Sequence, residues 1–181
     1  IRHVLCAMAA DENEHLFRDM MSYRFEGSKD IGGHNLGNLI FLSLMDITGS
    51  FMGAIQAISR ILKVKGTILP STLDKVTLYA MMEDGTLVRG ENNIPTLNNS
   101  IDHVFYQKRV EPQRDALKAI RKADLIIYGI GSLYTSIMPN LIIPEIVDEI
   151  KRNPCQKIYF CNAMSQPGET DDFSVEDHIR A

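Results

Sequence analysis

Side chains able to do chemistry concentrate in three polar loops. The first, residues 129–140, carries Gly129 and Gly131, four side-chain hydroxyls, and Asn140 directly after Pro139. It follows an apolar run, residues 124–128, of strand length and strand composition. In an open α/β sheet, ligands bind beyond the carboxyl ends of strands. A helix starting near Ser132 would present free N–H groups and a positive dipole end to an anion such as phosphate. Anion binding is the preferred reading, and a tight strand-to-helix turn with ordinary capping is the alternative. The spacing is neither GxxxxGK[ST] nor GxGxxG, because Tyr134 stands where the last glycine would be. A P-loop is therefore disfavoured and dinucleotide binding weakly supported.

The second loop, residues 32–38, sets three glycines around His34, Asn35 and Asn38. It serves equally well as a ligand approach or as the entry to a central, close-packed helix with Asn35 as its N-cap. No second histidine stands at metal-ligand spacing from His34. The third loop, residues 162–172, offers Asn162 and Thr170 to a base or sugar. Its carboxylates Glu169, Asp171 and Asp172 could hold Mg²⁺ against phosphates. Taken alone, it also reads as a solvated loop leading to a helix cap. No Ser/His/Asp or Cys/His set assembles, so no catalytic residue is assigned.

The elements that must position these loops follow from periodicity and punctuation. Helices are predicted over 12–24, 39–47, 51–62 (capped by Ser50), 112–122 and 142–152, with a last one capped by Ser174. Strands are predicted at 67–70, 76–82, 87–91, 101–106, 124–128 and 157–161. Glu83-Asp84-Gly85-Thr86 marks a hairpin turn. Residues 65–107 thus read as a mostly antiparallel insertion. The later strand–helix alternation argues for a parallel sheet with helices on both faces.

Size and charge narrow the classes. The 181 residues fit one domain, or one domain with a modest appendage, and 45% hydrophobic content supplies a core. A net charge of −4 without a dense Lys/Arg cluster lacks the footprint of a nucleic-acid binder. Three cysteines without CxxC spacing suit a reduced, cytoplasmic protein, and Cys155 and Cys161 flank a strand too long for them to bridge. The apolar stretch 125–147 is too interrupted for membrane insertion as one helix. The chain opens at Ile1 without methionine and stops at Ala181 within a helix-like stretch, which reads as a piece of a longer protein.

Together the loops carry a resemblance. Gly33-His34-Asn35-Leu36-Gly37-Asn38-Leu39, Gly131-Ser132-Leu133-Tyr134-Thr135-Ser136 followed by Pro139-Asn140-Leu141, and Gln166-Pro167-Gly168-Glu169-Thr170-Asp171 resemble the YvcK-type gluconeogenesis factor family. That family lies within the wider CofD-like superfamily, named for 2-phospho-L-lactate transferase. The likeness extends through Gly66-Thr67-Ile68-Leu69-Pro70 and Met82-Glu83-Asp84-Gly85-Thr86, and so covers nearly the whole chain.

The resemblance implies an α/β fold with a three-layer, Rossmann-like parallel sheet and an antiparallel β insertion. It implies a cytoplasmic bacterial protein that binds a UDP-sugar, notably UDP-N-acetylglucosamine. Its role would be to regulate cell shape and envelope synthesis during gluconeogenic growth, through a protein partner and with oligomerisation open. The alternative it implies is a Mg²⁺-dependent transferase of a phospholactyl-type group from a nucleotide-activated donor. Carried over by motif, the ligand contacts are Gly131, Ser132, Thr135, Ser136 and Asn140, followed by Asn38, His34, Asn162 and Thr170. The family's N-terminal glycine-rich strand–loop and its C-terminal continuation have no counterpart in residues 1–181. Ile130, Asn35 and Asp172 stand where the family commonly has Pro, Ser and Gly.

Overall fold

Capping chemistry sets the helix boundaries in the first of two structural units, residues 1–68 and 69–181. The computed structural model describes residues 2–8, 14–27, 31–97 and 99–181. Glu12 of the predicted first long helix, and most of the break predicted at 27–30, lie outside those residues. The first unit is helical: α1 (Arg2–Ala7), α2 (Glu14–Ser22), α3 (Leu36–Thr48) and α4 (Phe51–Ile61). Asn35 Oδ1 accepts from Asn38 N at 3.1 Å to open α3, and Ser50 Oγ accepts from Gly53 N at 2.9 Å to open α4. These bonds satisfy N–H groups that a helix start leaves without partners.

Leu5, Met21 and Ile58 are fully buried together, with Ile40, Leu44 and Phe17 packed around them. The expectation of a central, close-packed helix over 39–47 needs correction. Only Gly37 of α3 is buried, and Leu42 and Ile47 are exposed. The helix is apolar nearly all round, but only its Ile40/Leu44 stripe meets this core. No single helix among the described residues is long and apolar enough to cross a membrane. The apolar pair α3 and α4 is bent by 115°.

The second unit holds both sheets. Strands β1 (Leu78–Met82), β2 (Leu87–Arg89) and β3 (Ile101–Tyr106) form an antiparallel sheet in the order β2-β1-β3. Its register pairs Ala80 with Val88 and with Val104. Asp84 Oδ1 accepts from Thr86 N at 2.8 Å and tightens the predicted hairpin turn. A strand at 67–70 does not form. Pro70 has no N–H to give a ladder, and the segment stays irregular.

Strands β4 (Leu125–Tyr128) and β5 (Gln156–Tyr159) pair in parallel, Ile126 opposite Lys157 and Tyr128 opposite Tyr159. Helix α5 (Arg114–Arg121) precedes β4, α6 (Met138–Leu141) and α7 (Pro144–Arg152) run between the two strands, and α8 (Val175–Arg180) follows β5. Ile126 and Tyr128 pack with Val110, Ile146 and Ile150, whereas Leu125 and Ile127, on the opposite face, are exposed. Buried Asn153 ties the unit's joints. Its Nδ2 donates to Ile120 O at 2.7 Å and Ala123 O at 2.9 Å, and its Oδ1 accepts from Cys155 N. Cys155 and Cys161 are free thiols. The α/β class with a parallel and an antiparallel sheet is therefore as predicted; among the described residues the parallel sheet has two strands.

Candidate functional site

The chain leaves β4 through Gly129, Ile130 and Gly131 and then winds into a π-helical turn, Leu133–Ile137. Ser136 N and Ile137 N both donate to Ser132 O, at 2.9 and 3.0 Å. Two apolar anchors fix the turn: Leu133 and Tyr134 are buried in the core of the antiparallel sheet with Leu78, Ala80 and Met82. Gly131 lies close under the turn, where an added Cβ would come within 3.2 Å of Ser136 Cβ. Asn140 closes the far end. Its Nδ2 donates to Ser136 O at 2.8 Å, and its Oδ1 accepts from the Ser71 hydroxyl.

A carboxylate occupies the start of the turn. Glu169, only 7% exposed, accepts from Tyr134 N and Thr135 N through Oε2, each at 3.2 Å. Its Oε1 accepts from Thr135 Oγ1 at 2.7 Å. The N–H groups and hydroxyl that a phosphate would use at Thr135 are thus held by the chain's own anion. The physics is that of anion binding at a helix start, with an internal ligand.

The Asn162–Asp172 loop is clasped to the turn at further points. Asn162 Nδ2 donates to Gly131 O at 2.9 Å, and Gln166 Nε2 donates to Ser132 Oγ at 3.1 Å. Thr170, fully buried, organises the loop by accepting from Gln166 N at 2.9 Å. The other amide atom of Gln166, Oε1, is buried without a hydrogen-bond partner. Exchanging the amide's O and N would leave the same vacancy with the opposite sign.

Of the predicted contacts, Gly131, Ser132, Thr135, Ser136, Asn140, Asn162 and Thr170 converge at the carboxyl end of β4. Several already bond within the protein. Ser136 is exposed, and its hydroxyl has no partner among the described residues. The backbone N–H groups of Ile130, Gly131 and Ser132 likewise donate to no described group. His34 and Asn38 belong to the first unit, where both are exposed beside buried Asn35. There His34 O accepts from Phe25 N at 3.1 Å, and Gly33 N donates to Phe25 O at 2.8 Å.

The metal candidates are also placed. Both Glu169 oxygens are used by the turn, and Asp171 Oδ2 accepts from Gly168 N at 2.7 Å. Asp172 is exposed, with φ of 60°. Among the described residues, no group of three or more His, Cys, Asp or Glu side chains is arranged to hold a metal. Sequence reasoning missed Gln166, and it named Glu169 only as a metal ligand. Their partners lie 34 and 35 residues away, beyond the reach of any local spacing rule.

Comparison with known proteins bears on this architecture. The family described as CofD, 2-phospho-L-lactate transferase, matches residues 1–181. A gluconeogenesis factor of Bacillus subtilis is 44% identical, the match covering all of this chain and 57% of that protein. One from Halalkalibacterium halodurans is 43% identical, covering all of this chain and 56% of the other. A crystal structure of a Bacillus halodurans protein of the upf0052 family superposes with a TM-score of 0.90 at 43% identity. It covers 99% of this chain and 58% of that one. The chain spans just over half the length of the curated relatives it matches. With that share of each relative and the whole of its own length matched, the chain belongs to the CofD family, alongside the gluconeogenesis factors.

Proposed function

We propose that the paired loops at the carboxyl end of β4 bind a nucleotide sugar of the UDP-N-acetylglucosamine type. The cytoplasmic protein would act as a ligand-reporting regulator of cell shape and envelope synthesis under gluconeogenic growth. The observation that carries this reading is the buried, unpartnered amide atom of Gln166 beside Ser132. Such an atom costs free energy unless something completes its bonding, and a base or sugar hydroxyl is chemically suited to do so. The diphosphate would take the unused N–H groups of Ile130, Gly131 and Ser132 together with the Ser136 hydroxyl. It would not take the N–H of Thr135, which Glu169 holds. Because the 162–172 loop is bonded to the turn, ligand binding on one loop biases the other, as a regulator recognised by a partner requires.

Thermal-shift titration of the full-length protein with UDP-N-acetylglucosamine tests the proposal. A ligand that binds the native state adds about 2.7 kcal/mol of stability at a hundred times its dissociation constant. No stabilisation at millimolar ligand would sink it. The name of the matching family favours a second reading, a Mg²⁺-dependent transfer of a phospholactyl-type group. Metal-dependent turnover that is lost in Asp171→Asn with Asp172→Asn would support the transferase. Unchanged ligand binding in that variant with metal chelated would support the regulator.

A further inference from the structure

Away from the loops, the end of the antiparallel sheet holds a cleft of about 400 Å³, a volume within the range of small-molecule sites. It forms where the chain enters β1, where it leaves β3, and beside the end of β2. Three cations line it, Lys75, Arg89 and Lys108, and no carboxylate does. None of the three side chains has an ion pair or hydrogen bond among the described residues. Elsewhere in the same unit cations find carboxylates: Arg109 reaches Glu145 at 2.6 Å, Lys118 reaches Asp115 at 2.9 Å and Arg121 reaches Glu149 at 2.5 Å. In a chain of net charge −4, three unpaired cations around one concavity are a local reversal of sign.

The walls between the charges are aromatic. Tyr79 sits directly opposite Arg89 on β2 and opposite Phe105 on β3, its ring stacked on Phe105 at 5.8 Å. Tyr106 donates its hydroxyl to Pro139 O at 3.1 Å, which holds its ring in place. Burial, with the Glu91 carboxylate second, raises the Tyr106 phenol above its ordinary value, so that the hydroxyl stays protonated as a donor. Gln107 adds a neutral amide at the rim.

We propose that this cleft is a second binding site, independent of the loops at β4, for a small molecule carrying two or more phosphates. Arg89 supplies a planar fork suited to phosphate oxygens, and the two lysines act as point charges on either side. A concavity with low-dielectric walls strengthens their combined field on a multivalent anion. The shared chemistry is the polyphosphate. It could arrive free or attached to a nucleoside whose ring meets the tyrosine walls.

The test titrates the full-length protein by calorimetry with inorganic pyrophosphate and, in parallel, with ADP. Amine acetylation is read by mass spectrometry in each complex. Saturable binding of one equivalent is expected, with Lys75 and Lys108 protected and Lys118 acetylated as before. Arg89→Glu and Lys108→Glu should each weaken pyrophosphate by about tenfold or more, as loss and reversal of a charge-assisted contact requires. Lys118→Glu should change it less than about twofold. ADP binding tighter than pyrophosphate, with the gain erased in Tyr79→Leu, identifies a nucleotide site; equal affinities identify a site that reads phosphate alone. Should Arg89→Glu disturb the β1–β2 ladder, Lys75→Gln with Lys108→Gln carries the same test from outside the strands. Absence of saturable binding, or equal losses in Arg89→Glu and Lys118→Glu, would overturn the proposal.

Discussion

Two buried carboxylates in the second unit are satisfied by opposite chemistries. Glu149, on α7, meets Arg121 of α5 through two bonds, Nε to Oε2 at 2.9 Å and Nη2 to Oε1 at 2.5 Å. Arg152 stands behind it at 3.7 Å. Glu169 meets no cation in the described structure. It is held by two backbone N–H groups and one hydroxyl. The first arrangement joins two helices by a bidentate pair. The second places a negative charge in neutral donors at a helical start, a cradle that any anion of suitable shape could share. The contrast separates a carboxylate that builds the scaffold from one that occupies a candidate site.

The largest expected effect tests what aims Glu169. Gly168, its neighbour, has φ of 78°, and an added Cβ would fall 2.1 Å from Pro95 O. The clash is with backbone, so no rotamer relieves it. Gly168→Ala should destabilise the protein by about 3 kcal/mol, combining strain with displacement of the loop. Urea unfolding measures this. A loss below about 1 kcal/mol would mean that the loop moves freely and that Glu169 is not rigidly placed.

Removing the carboxylate itself comes next. Glu169→Ala leaves the N–H groups of Tyr134 and Thr135 without their acceptor, at a cost of about 2 kcal/mol. The variant also vacates the cradle. Added phosphate or sulfate should therefore raise its melting temperature more than that of the unaltered protein, and should do little for an Arg121→Gln variant. Equal salt responses in all three would place the anion cradle elsewhere. Glu169→Gln keeps one acceptor oxygen and should fall between the two.

How much of this was legible can be judged residue by residue. Asn35, Ser50 and Ser174 were readable as caps because capping is a local contest, decided within three residues of the helix start. The hairpin at Asp84-Gly85 was readable for the same reason. Gln113 was not, since glutamine is an uncommon cap, yet its Oε1 accepts from Ala116 N at 2.7 Å. The meeting place of the polar loops, the carboxyl end of β4, was legible, and so was a helical start whose N–H groups face a negative charge. It was not legible that the anion is internal. Glu169 finds its partners through the tertiary fold, and the apolar packing of Leu133 and Tyr134 that aims their N–H groups is tertiary too. Nor could an apolar α3 reveal which of its faces meets a core, because composition reports how much surface seeks burial and not how much is available.

A smaller effect probes the scaffold carboxylate. The bond from Arg121, reinforced by the charges of Arg121 and Arg152 against the opposing cost of burial, holds Glu149 below its ordinary value of 4.5. A carboxyl with a lowered native value takes up its proton first in the unfolded chain as pH falls. Its stabilising contribution is therefore complete above pH 4.5 and disappears as pH drops through the lowered native value. Arg121→Gln should reduce the urea midpoint at neutral pH by less than Glu169→Ala does. It should also flatten the acid limb of the stability profile. An unchanged acid limb would mean that other carboxylates set it.

The smallest effect lies at the end of the clasping loop, where Asp172 takes a φ of 60°. An L-residue in this region brings its Cβ toward the following carbonyl oxygen, although aspartate tolerates it better than most. The side chain is exposed, and the adjacent Asp171 already accepts from Gly168 N. Asp172→Gly removes the strain and one of two neighbouring like charges, but adds backbone freedom to the unfolded chain. Relief and entropy nearly offset, so the expected change is a gain of no more than about 1 kcal/mol. If the variant instead loses stability by that amount, Asp172 holds the loop through its side chain. The turn that presents Glu169 would then depend on charge at both ends, drawing the two carboxylate chemistries of this unit closer together.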